Sequence, residues 1–181
     1  AGKPTTDNWE AVLLLGILGR PDDLQLILTI SRRVELGPKR FQLLGAFGHP
    51  ETVDELIPAM DGPDLRSAVA AGAAFRKITG RDVESERRAH LPPEDGREPD
   101  AFVKEFLDDV KLPDSTMTQS RWAGLKPQLS RCTRICQGFD LGAGVAREIL
   151  DQLNMESCWH TSLRGKYEGT WDGNLWDLER F

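Results

Sequence analysis

No apolar run in this sequence approaches the roughly 20 residues a membrane-spanning helix needs, so no membrane role is expected. The start, Ala1-Gly2-Lys3-Pro4, lacks both an initiator Met and an apolar signal core. That predicts a chain that begins inside a longer protein or after processing, and a cytoplasmic location. Cysteine is scarce and odd in number: Cys132, Cys136 and Cys158 do not make a disulfide framework and read as reduced thiols. Positive charge is in deficit, with 23 Lys and Arg against 29 Asp and Glu and a net charge of −6. A duplex-binding protein draws its affinity from neutralised phosphates and shows a basic face, so no nucleic-acid partner is expected. Only residues 115–147 are basic, where Arg121, Lys126, Arg131, Arg134 and Arg147 oppose one acid, Asp140.

Catalytic signatures are missing too. No G-x-S-x-G, H-E-x-x-H or P-loop pattern is present, and Gly142-Ala-Gly144 is too short for a dinucleotide fingerprint. Cys132, Cys136, Cys158 and His160 could supply four zinc ligands, but their spacing departs from the tight C-x2-4-C knuckles of structural sites. Cys132 and Cys136, at i and i+4, read more simply as buried helix residues. Cys158 and His160 alternate, which points them apart in a strand and sets them poorly together in a helix as a nucleophile and base. His49, before a proline, and His90, in a charged stretch, read as surface residues. A HEAT-like DNA glycosylase would need a cationic concave face with aromatics at the lesion, and the repeats here are near-neutral to acidic. No catalytic residue, cofactor or metal is therefore expected, and the chain reads as a non-enzyme.

What is present is a repeat. Residues 15–28, LGILGRPDDLQLIL, return at an offset of 29 as LGAFGHPETVDELI, residues 44–57, with Leu, Gly, Gly and Pro identical. Asp7 and Glu10 have capping-box spacing before a helix with Trp9, Val12, Leu13 and Ile17 on one face. Gly19 is expected to end it in a left-handed conformation, and Pro21 to open the next helix, with Leu24, Ile27, Leu28 and Ser31 on one face. Pro38, Gly48 and Pro50 repeat the scheme, and Val53, Leu56, Ile57 and Met60 continue it, with a bend expected at Pro58. A third unit opens at Asp61-Gly-Pro63, runs through Leu65, Ala68, Val69, Gly72 and Phe75, and closes at Gly80. Short Gly-Pro turns between such helices give antiparallel neighbours, and so a short α-solenoid; a plain helical bundle is the alternative.

Residues 81–99 lose the periodicity and read as a charged, exposed loop. A short helix is expected over 100–110, ended by Leu112-Pro113-Asp114, and another from Ser115 to about Leu125, ahead of Pro127. Residues 128–139 fit helix or strand, and 141–153 read as a helix with Val145, Ile149, Leu150 and Leu153 inward. Trp159, Trp171 and Trp176 crowd the C-terminal end and are expected to cap the array.

The L-G-x-x-G-x-P units, Ala-Ala-Phe-Arg-Lys-Ile-Thr-Gly at 73–80, and FLDDVKLPD at 106–114 followed by Trp122 carry a resemblance. They resemble the C-terminal portion of uncharacterised bacterial HEAT-like-repeat proteins, over most of residues 10–125. The tail after Leu141 departs from that family. Its members often lie beside type VI secretion genes, which implies a role with secreted toxins and carries over no site residue.

The sequence thus predicts an all-α protein: HEAT-like helix pairs over 1–80, a charged loop over 81–99, and a helical region over 100–181 with a Trp-rich cap. The expected function is protein binding, foremost as an immunity protein that masks a basic toxin, alternatively as an effector-loading adaptor or chaperone. A small enzyme using Cys136 or Cys158 is the rival from another class. Two candidate surfaces follow. Asp22, Asp23, Glu51, Asp54 and Glu55 form an acidic ridge at first turns, where acids also offset the helix dipole. Trp159, Arg164, Tyr167, Trp171 and Trp176 form an aromatic hot spot, unless they only close the core.

Overall fold

The computed structural model describes residues 8–91 and 109–173. The repeat region folds into five helices: α1, Trp9–Leu18; α2, Leu24–Ser31; α3, Lys39–Phe47; α4, Val53–Ala59; and α5, Leu65–Thr79. The turn chemistry places their ends. Gly48 and Gly80 terminate α3 and α5 at φ of 66° and 69°, a left-handed conformation that a Cβ disfavours. Gly19 does not follow them: its φ of −57° and ψ of 144° are extended. Space is what its neighbours limit, since a Cβ there would sit 3.3 Å from the Phe47 ring. Pro21 and Pro50 each open a single 3₁₀ turn, Pro21–Asp23 and Pro50–Thr52, that leads into α2 and α4. Asp64 caps α5, accepting from the Arg66 amide at 3.2 Å and the Ser67 hydroxyl at 2.6 Å. Pro58 bends no long helix, because α4 stops one residue later. Asp7 of the expected capping box lies outside the described residues.

α1, α3 and α5 pack side by side, with α2 against α3 and α4 against α5. All three C-termini meet one short hairpin, built from β3, Ile135–Cys136, and β4, Phe139–Asp140. The Ile135 amide donates to Gly48 O at 2.7 Å, Gln137 N to Lys77 O at 2.7 Å, and Gly138 N to Ile78 O at 2.8 Å. Arg134 reaches the end of α1 from the same hairpin. Helices that lie alongside one another and end at one place run parallel, so α1, α3 and α5 form a parallel layer. Ile27, Leu43, Phe47, Leu56, Phe75 and Ile78 fill the core. Each such side chain contributes about 1.5–3 kcal/mol by leaving water.

The second half corrects several expectations. Within the stretch read as a loop, β1, Glu84–Ala89, pairs antiparallel with β2, Val110–Pro113. Most of β1 is exposed, as a charged strand at a sheet edge should be. The helix expected over 100–110 falls largely outside the described residues, and its end at 110–113 is strand. α6, Ser115–Leu129, runs on through Pro127 instead of stopping before it. The carbonyl that loses its partner there belongs to Ala123, which is exposed and can turn to water. The helix expected over 141–153 shrinks to α7, Arg147–Leu150, because Gly144 adopts a φ of 116°. α8, Met155–Glu168, then takes its start from Asn154, whose side chain accepts from the Ser157 amide at 2.9 Å.

The chain is therefore mostly helical, as expected, with two small antiparallel β pairs that an all-α reading omits. Among the described residues no helix is long and apolar enough to cross a membrane. Of the aromatics expected to cap the array, Trp171 is half-buried and packs on Gly165, Trp159 is 37% exposed, and Trp176 lies outside the described residues.

Candidate functional site: a cleft on the parallel helix layer

α8 buries an unusually polar face. Ser157, Cys158, His160, Thr161, Ser162 and Arg164 are all buried. The helix packs against α1 and α7 and hydrogen-bonds to Lys77 of α5 and to Gln137 of the β3–β4 hairpin. Buried polar groups are stable only when paired, and here the partners come from the helix layer. Lys77, near the end of α5, donates to Glu156 Oε1 at 2.6 Å and to His160 Nδ1 at 2.8 Å. An ammonium can only donate, so His160 carries its proton on Nε2. Burial, reinforced by the Lys77 charge, pulls the His160 pKa down to about 4. At neutral pH this imidazole is uncharged. For Glu156 burial works upward, but the Lys77 hydrogen bond and charge outweigh it, and the carboxyl titrates below its usual range. Gln137 joins the seam through Ser157 Oγ at 3.3 Å.

Arg134 fastens the other end. Its guanidinium, 5% exposed, donates to Gly16 O at 3.0 Å, to Ile17 O, and to Gly19 O at 3.5 Å. It thereby satisfies the open carbonyls of α1 and meets the negative end of that helix dipole. It also stacks over the Phe47 ring at 5.1 Å. Burial, with the charge of Arg164 beside it, lowers its pKa to about 9, so it stays cationic at neutral pH.

Between this seam and the helix layer lies a cleft of about 720 Å³. Leu13 of α1, Gln42 and Gly45 of α3, and Ala70, Ala73 and Ala74 of α5 line it on the layer side. The opposite wall is Gln152, Leu153, Asn154 and Glu156, where α8 begins. The void follows from the sequence: at Ala70 and Ala73 the layer has little side chain to fill the space, while Gly45 and Ala74 close against each other beneath it. Its volume falls in the range of ligand and peptide sites. Four carboxamides, Gln42, Gln137, Gln152 and Asn154, edge it together with the charged Arg76, Lys77 and Glu156. Gln137, Gln152 and Asn154 each make one bond within the chain, to Ser157 Oγ, Glu148 O and the Ser157 amide, and keep their other donor and acceptor positions.

The sequence-derived candidates do not meet at this cleft. Asp22 and Glu51 are exposed, and the Asp23 carboxylate accepts from the Arg20 amide at 2.8 Å. Asp54 accepts from Trp122 Nε1 at 3.0 Å and pairs with Lys126, while Glu55 pairs with Arg32 at 2.6 Å. Three of the five ridge acids are thus engaged within the chain. Of the aromatic group, Tyr167 is 61% exposed, whereas Arg164 is buried and pairs with Glu168 at 2.9 Å. Cys158 is fully buried, and burial raises its thiol pKa to about 11; burial raises Cys136 as well. Both thiols are held protonated, the unreactive form. Among the described residues no group of three or more His, Cys, Asp or Glu is placed to hold a metal ion.

Lys77, Arg134, Gln137 and Glu156 were not singled out as site residues from the sequence. Arg134 carried the one visible signal, as a basic residue within the only basic region. No family model matches the chain, and no curated protein or solved structure is significantly similar to it.

Proposed function

We propose that this chain is a protein-binding module of HEAT-like helix pairs, and that the cleft on its parallel layer receives a segment of the partner. The observation that carries this reading is the cleft itself: about 720 Å³, with an alanine and glycine floor and a rim of four carboxamides. A polypeptide main chain presents one donor and one acceptor per residue, and carboxamides can answer both. Small floor residues let a backbone approach closely. The buried, protonated thiols favour a binder over a cysteine enzyme. The family resemblance directs the partner class toward a secreted toxin, with immunity as the leading role and effector loading as the second. Because Asp54 and Glu55 are internally paired, we place the contact at the cleft rather than along the acidic ridge.

The test is affinity capture with the chain as bait, followed by hydrogen exchange on the purified complex. One stoichiometric partner with new protection in α5 and residues 152–156 supports the reading. Protection confined to the first turns of α2 and α4 would return the contact to the acidic ridge.

A further inference from the structure

The repeat has a receiving side and a donating side. A Cβ added at Gly16 would lie 2.9 Å from Leu43 Cδ1, and one at Gly19 would lie 3.3 Å from the Phe47 ring. Gly16 of α1 and Gly19 just past its end are seats, and α3 places Leu43 and Phe47 in them. In α3, Gly45 is the seat for Ala74, at 3.2 Å, and Gly48 lies against the Ile135 backbone. The L-G-x-x-G pattern is therefore a docking surface for the next element in the stack.

Shifting by the repeat offset of 29 maps Leu43 and Phe47 onto Leu14 and Leu18. Leu43 is 0% exposed and Phe47 1%, yet Leu14 is 42% exposed and Leu18 only half-buried. Leu26 of α2 is likewise 48% exposed. α1 is apolar almost all round, Trp-Glu-Ala-Val-Leu-Leu-Leu-Gly-Ile-Leu, the pattern of a helix covered on every side. Among the described residues, no glycine seats its donating side chains.

We propose that the Leu14–Leu18 face of α1 docks one further Leu-Gly-x-x-Gly helix pair, on which α1 stacks as α3 stacks on α1. The occupant is defined by complementarity: it must offer two glycines one helical turn apart. A second copy of this chain does not meet that need. Its Gly16, Gly19, Gly45 and Gly48 already abut Leu43, Phe47, Ala74 and Ile135. The inference is independent of the cleft.

The test duplicates residues 9–37 in line, directly ahead of residue 9 of the full chain, so that the inserted unit carries the missing seats. The expected result is a Tm at least about 4 °C higher, with amide protection in the inserted helices. Replacing both inserted seats, Gly16→Val and Gly19→Val in the added copy only, should abolish the gain. An unprotected insert, no gain, or a gain that survives the valines would overturn the proposal. Sedimentation of the unmodified chain closes the remaining route: a monomer is expected. A dimer that dissociates on Leu14→Glu would assign the face to a second copy instead.

Discussion

Arg134 offers the sharpest quantitative test of how the two halves are joined. Substituting Arg134→Met keeps a similar stem and deletes the guanidinium. Three carbonyls at the end of α1 then lose a charged donor, at Gly16, Ile17 and Gly19. Hydrogen bonds to charged groups contribute roughly 1.5–3 kcal/mol each, and a cation at a partly buried helix C-terminus adds up to about 2 kcal/mol. The contact with Phe47 adds roughly 0.5–2 kcal/mol. Against these stands the cost of dehydrating the guanidinium, several kcal/mol, which the methionine does not bear. The net loss should be about 3–5 kcal/mol, since three carbonyl acceptors at the buried end of α1 are left unmet at roughly 1–3 kcal/mol each. For a chain this size that is a fall in Tm of about 6–20 °C. Urea unfolding followed by tryptophan fluorescence measures it, and Arg134→Lys should fall between, since an ammonium keeps the charge but cannot span the carbonyls. A loss below about 1 kcal/mol in Arg134→Met would refute the argument that this residue pins the hairpin to α1.

Other predictions follow from the same structure. His160 has a folded pKa of about 4 against an unfolded 6.5, so the folded state binds fewer protons between those values. Its stability contribution is present in full above pH 6.5 and is lost as pH falls toward 4, up to about 3 kcal/mol. His160→Gln should flatten a plot of urea midpoint against pH across that window; an unchanged slope would assign the pH dependence elsewhere. Gly48→Ala should cost at least about 2 kcal/mol, from its left-handed φ and the Ile135 backbone against it, and the urea midpoint reads it. Gly124→Ala, in α6 with nothing within 4 Å of an added Cβ, should instead gain about 0.5–1 kcal/mol by the same measurement. Asp54→Ala should destabilise by about 1–2 kcal/mol, because it strips the indole N–H of Trp122, itself 4% exposed, of its acceptor. Equal stability of Asp54→Ala and the wild type would show the carboxylate to be free for a partner after all.

The first five helices were legible because each boundary is written in local chemistry. Pro21 and Pro50 open turns, Gly48 and Gly80 accept a left-handed φ, and the apolar spacing fixes which face turns inward. Gly19 misled for an instructive reason: its neighbour Phe47 lies 28 residues on, and no local rule announces a close approach. The β3–β4 hairpin was invisible for the same cause. Its strands are two residues long, and what holds 135–138 in place is the row of open carbonyls at the ends of α3 and α5. Pro127 and Gly144 show the limits of punctuation residues, since one failed to stop α6 while the other cut short the helix expected over 141–153. The cleft left no motif at all. Its floor is a run of alanines, an ordinary helix composition, and its wall depends on Lys77 meeting Glu156 and His160 some 80 residues later. The ridge acids were visible as charges, but that Asp54 and Glu55 are spent on Lys126 and Arg32 is a tertiary fact.

The most direct test of the cleft as the binding site is to fill it. Ala73 is exposed on the cleft wall, so Ala73→Trp should leave the Tm unchanged while occupying the floor. Titration of the captured partner against wild type and Ala73→Trp, by calorimetry, should then show at least about a tenfold loss of affinity, roughly 1.4 kcal/mol. Full affinity in Ala73→Trp, with Tm and fold intact, would contradict the cleft as the site of binding.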